Sequence, residues 1–68
     1  MVTPYEAFTA GAKAARDLAM RCAEDATRAD PERAARLVEE HDRHIARAMD
    51  YEMRAHWYAP KAKQEIAA

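Results

Sequence analysis

A single proline in mid-chain decides most of what these 68 residues can become. In the stretch Ala29-Asp30-Pro31-Glu32, Pro31 pushes Asp30 out of the α region, so a helix arriving from the N-terminal side has to stop there. The same residues open a new helix. Asp30 offers a side-chain acceptor at the N-cap, Pro31 brings a preset φ to the first helical position, and Glu32 puts negative charge in the first turn. The chain therefore reads as two helical arms on either side of one break.

The first arm starts at Thr3-Pro4-Tyr5-Glu6, which fits a capping box with proline at the favoured first position. Its periodicity predicts a helix over 4–29, roughly 39 Å long. Tyr5, Phe8, Ala12, Ala15, Ala19, Cys22, Ala26 and Ala29 share one stripe, with Gly11 and Leu18 along its edge. Most of that stripe is small, so a second helix can approach toward the short end of the usual 8–10 Å. Charged residues spaced by four on the other side, such as Lys13 with Asp17 and Glu24 with Arg28, read as a solvated face.

The second arm predicts a helix over 31–58, ended by Pro60, which makes Ala59 a poor helical residue. The expected inner face is Leu37, Val38, His41, Ile45, Ala48, Met49, Glu52, Ala55 and His56. Polar groups on such a face need partners. His41 is expected to close a hydrogen-bond set across the interface and, if buried neutral, to destabilise the assembly on acidification. For Glu52 the choices are His56 one turn on, the Tyr5 hydroxyl, or water at the mouth of the bundle. The tail, 59–68, is expected to be frayed or mobile, with Ile66 its one anchor.

Large apolar side chains are few, because 18 of the residues are alanine, and one hairpin holding so little could hardly offset its conformational entropy. A second copy, a partner or a metal is expected to complete the core. The single cysteine excludes an intrachain disulfide. No stretch has the order of a signal peptide or the length of a membrane span, so a soluble, cytoplasmic chain without membrane contact is expected. A net charge of −1 gives no global pull toward nucleic acid.

Without serine or asparagine, and with Gly11 the one glycine, the chain has no serine nucleophile and no glycine-rich phosphate loop. Cys22 is the only candidate nucleophile and sits on the apolar stripe, where packing is its expected role. No nucleophile, base and oxyanion donor can be assembled, so no catalytic activity and no cofactor are expected. His41 and His44, three apart, could share a metal ion with Glu40 or a symmetry mate, although neither the zinc-protease nor the di-iron spacing is present. Arg36, Arg43, Arg47 and Arg54 fall on one side of the second helix, with Lys61 in line. Glu32, Glu39 and Asp50 precede three of these arginines by four residues, which favours ordinary helix ion pairs over a nucleic-acid surface.

Met53, Trp57, Tyr58 and Met20 stand beside the stripes, where aromatic and methionine side chains suit an association surface. The expected fold is all-α: an antiparallel two-helix hairpin pairing into a homodimeric four-helix bundle. That plan is similar to the Rop family of plasmid-copy-number regulators, in architecture and without a shared motif. The expected function is a small self-associating module that binds another protein through Met53, Trp57 and Tyr58 with Arg43, Arg47 and Arg54. The alternatives are a metal-binding bundle centred on His41 and His44, and a Rop-like nucleic-acid binder using the arginine stripe.

Overall fold

The computed structural model describes residues 1–60, and both helices begin at the expected caps. The first, α1, runs Pro4–Ala26; the Thr3 hydroxyl oxygen accepts from the Glu6 N–H at 3.1 Å. The second, α2, runs Pro31–Trp57, and Asp30 Oδ1 accepts from the Arg33 N–H at 2.9 Å. Proline occupies the start of each helix.

The ends differ from expectation. α1 stops at Ala26 rather than at 29, because the Thr27 hydroxyl donates to the Glu24 carbonyl at 2.7 Å. The N–H groups of Thr27 and Arg28 reach the carbonyls of Glu24 and Asp25, three residues back, so the chain tightens before it turns. α2 ends at Trp57 rather than at 58, with the Tyr58 and Ala59 N–H groups bonded three residues back in the same way. The expectations for the tail beyond Pro60, Lys61 and Ile66 included, lie outside the described residues.

The helices pack as an antiparallel hairpin, and no strand occurs among the described residues. The molecule is 14 Å across its thinnest direction, the depth of one helix layer. Its seam is made of small side chains. Ala12, Ala15, Ala19 and Cys22 of α1 meet Ala48 and Ala55 of α2, and Ala48 is 0% exposed. Among the described residues, no large side chain is fully buried and no buried side chain is polar.

The inner face of α2 is turned from the one read in the sequence. Ala48 and Ala55 are buried and Leu37, His41, His44, Ile45 and Tyr51 half-buried, whereas Val38, Met49, Glu52 and His56 are exposed. Two helices joined only to each other cover a narrow stripe of each, and the smallest residues permit the closest approach. The alanines therefore set the contact. Val38 and Met49, to which periodicity assigned the same face, are left on its flank.

At the open end Phe8 fills the space between the helices. Its ring stacks on Tyr58 with centroids 5.8 Å apart and meets Tyr51 at 6.0 Å, and the Arg54 guanidinium lies 5.9 Å over it. Gly11 makes room for this cluster, because a Cβ there would come within 3.1 Å of the Tyr51 ring. No helix among the described residues is long and apolar enough to cross a membrane.

Candidate association surface

At 100° per residue, a hairpin this thin presents two broad faces, one on each side of the alanine seam. One carries Gly11, Leu18, Arg47, Tyr51 and Tyr58. The other carries Thr9, Arg16 and Met20 of α1 beside Val38, Ile45, Met49, Glu52 and His56 of α2. Glu52 lies on this second face, and its partner is neither His56 nor Tyr5. Arg16 reaches across from α1 and donates twice, from Nε to Oε2 at 2.6 Å and from Nη2 to Oε1 at 2.7 Å.

This pair ties the two helices together more strongly than a neutral contact would, since bidentate charge-assisted hydrogen bonds surpass neutral ones. Arg16 was not singled out in the sequence. The antiparallel register about the turn, which sets Arg16 level with Glu52, was the available signal. The two hydrogen bonds hold the Glu52 carboxyl below its ordinary value, with partial burial opposing and the charge of Arg16 assisting. Unfolding frees a carboxyl that takes a proton more readily, so the link contributes fully above about 4.5. That contribution drains as pH falls through the lowered folded value. Because both side chains are about half exposed, water screens it and the effect is modest. Wild type should melt higher than Glu52→Gln near neutral pH, with the gap narrowing as pH falls below about 4.5. A gap that does not change with pH would remove the ion pair from the account.

Beside this pair, between the helix ends, lies an open groove of about 590 Å³. Ala12, Ala55 and Ala59 give it an apolar floor, and Lys13 and His56 stand among its polar walls.

The two histidines proposed for a metal each meet a neighbour on their own helix. His41 is 35% exposed and its Nδ1 lies 3.1 Å from Asp42 Oδ1 on the solvent side, so it closes no hydrogen-bond set between the helices. The ring is half-buried rather than enclosed, which is not the buried His41 that was expected. His44 sits on the other face, where Arg47 donates to its Nδ1, an arrangement that places the ring proton on Nε2. Among the described residues, no group of three or more His, Cys, Asp or Glu side chains is arranged to hold a metal ion.

The arginines behave as helix-surface charges. Arg43 lies 3.8 Å from Glu39 and Arg54 3.1 Å from Asp50, both one turn back, while Arg54 also covers Phe8. Of the three rim residues, Tyr58 is committed to Phe8 on one side and half exposed on the other. Met53 and Trp57 point outward from α2, at 56% and 69% exposure. Met20, Met49, Val38 and Leu18 are exposed as well. Several of the larger apolar side chains thus lie outside a seam of alanines and Cys22, while Phe8, Leu37, Ile45 and Tyr51 are half-buried.

Comparison of the chain with protein families, curated proteins and solved structures gives no match. The surface chemistry therefore carries the functional reading.

Cys22 is buried in the seam with its thiol 3.8 Å from Glu40 Oε2. Burial, then the carboxylates of Glu40 and Asp25, push the thiol up from its ordinary value. That environment is the reverse of one that activates a nucleophile. Alkylation of the folded protein near neutral pH should run at least about 10-fold slower than in denaturant. Equal rates in the two conditions would show the thiol to be open.

Proposed function

We propose that this chain is a small helical association module of the cytoplasm. It works without catalysis, pairs with itself as a four-helix bundle and binds another protein. The observation that supports this reading is the inversion of its side chains: an alanine seam inside, with Met20, Val38, Met49, Met53 and Trp57 exposed. Apolar residues gathered on the faces of one layer mark surfaces made for contact.

The pairing surface and the partner surface are separate parts of the molecule. Met53 and Trp57 stand on the outer side of α2 near its C-terminal end, with Tyr58, Arg54, Arg47 and Arg43 beside them, so aromatic anchors are bordered by cations. A protein target with an acidic rim about an apolar centre fits that pattern.

Trp57→Ala tests the reading directly. The side chain is exposed, so helicity and melting should change little, while capture of a protein from the source cells should weaken at least about 10-fold. Undiminished capture would move the binding surface elsewhere.

A further inference from the structure

We infer that the face bearing Met20, Val38, Ile45 and Met49 is covered by a second copy of this chain, related by a two-fold axis. The inference rests on the self-association proposed above and names the surface that performs it.

Helical periodicity puts Met20 about 120° from the centre of the α1 seam, and Val38, Ile45 and Met49 between about 80° and 120° from that of α2. The antiparallel course of the helices brings these two flanks to the same side. The Arg16–Glu52 link fixes that assignment, because both partners belong to those flanks and they touch. Between this pair and the turn, the face consists of Met20, Ala23, Ala34, Val38, Ile45 and Met49, with half-exposed His41 the polar residue among them. From Ala34 to Met49 it extends about 22 Å along α2.

The chain as a whole exposes enough surface for a dimer interface. The chain presents 5497 Å² to solvent, whereas a compact folded chain of its 7.7 kDa mass presents about 4,300 Å². The excess of about 1,200 Å² is more than the roughly 800 Å² per partner of a standard interface. Placing one layer on another converts 14 Å of thickness into a two-layer bundle and gives the methionines an interior.

Electrostatics permit the match to be with itself. An isologous contact sets each patch against its own copy, so a charged patch would repel its partner. Here the apolar half carries one charged side chain on its edge between the Arg16–Glu52 pair and the turn, Asp42, which is 73% exposed and lies 3.1 Å from His41, and Glu24 stands at the border on α1. Arg16 and Glu52 already satisfy each other, so covering their edge strands neither charge. A net charge of −1 adds little repulsion between copies.

The methionines provide the test. Met20, Met49 and Met53 are 61%, 58% and 56% exposed in the single chain, so peroxide should oxidise them alike if the chain is alone. In sedimentation at about 100 µM, the wild-type chain should run as a dimer, a concentration well above the dissociation constants of standard interfaces. At that concentration Met20 and Met49 should oxidise about 5- to 10-fold more slowly than Met53, and dilution should erase the difference. Met49→Lys should weaken dimerisation about 100-fold, while Leu18→Lys on the opposite face leaves it unchanged. Should Met49→Lys fail to fold, the wild-type oxidation pattern still decides. A dimer whose three methionines oxidise at one rate would overturn this face and leave self-association standing. A monomer at 100 µM would overturn the second copy altogether, with binding of another protein still judged by Trp57→Ala.

Discussion

Ala48→Leu is expected to lower the melting temperature by about 10–20 °C, measured by circular dichroism at fixed concentration. Ala48 has no exposed surface and sits where α2 crosses the alanines of α1. A leucine there has no void to enter, so it must force the helices apart or adopt a strained rotamer. Overpacking of that kind costs about 2–3 kcal/mol, a large share of what a chain this short has available. Ala46→Leu is the control, two residues away on the exposed side of the helix, and should change stability by less than about 0.5 kcal/mol. If both variants melt with wild type, the seam is not close packed and the hairpin is held by something else.

The second large effect belongs to Phe8. It is half-buried, yet it meets Tyr51 and Tyr58 and lies beneath Arg54, so one ring joins two residues of α2 and the residue that caps it to the start of α1. Phe8→Ala should cost about 2 kcal/mol, below the range for a fully buried phenylalanine because water already reaches the site. The loss should be local. Amide exchange should quicken by about 10-fold at the open end, while the helix turns around Cys22 and Glu40 keep their protection. Uniform acceleration along both helices would mean that the cluster supports the whole hairpin.

The architecture was legible because its signals are local. Thr3, Pro4, Asp30 and Pro31 act on the backbone within one turn of themselves, and the caps they predict are the caps that form. Thr27 was overlooked as a terminator because its competing hydrogen bond to Glu24 resembles ordinary helix sequence until the chain is seen to turn. On α1 the predicted stripe and the buried one agree, since its small residues all fall on one side. On α2 the apolar positions span two sides, and periodicity reports their average direction. Only the place where α1 rests separates Ala48 and Ala55 from Val38 and Met49.

The polar residues were harder to read for a related reason. Glu52 was weighed against neighbours on its own helix and against Tyr5, whereas its partner stands across the hairpin at a level fixed by the register. His41 is half-buried on the face where periodicity placed it, but its partner is Asp42 beside it rather than a group across the hairpin. The rim was better drawn: Met53 and Trp57 are exposed as expected, and Tyr58 alone turns inward to stack on Phe8.

The alanine seam also reverses the usual geography of tolerated change. In most domains a mutation at the centre removes atoms and leaves a hole, and the surface absorbs variation. In this hairpin every replacement for a seam alanine except glycine adds bulk, so inheritance there is close to all or none. The methionines, valine and tryptophan outside can drift in size with little penalty to the hairpin itself.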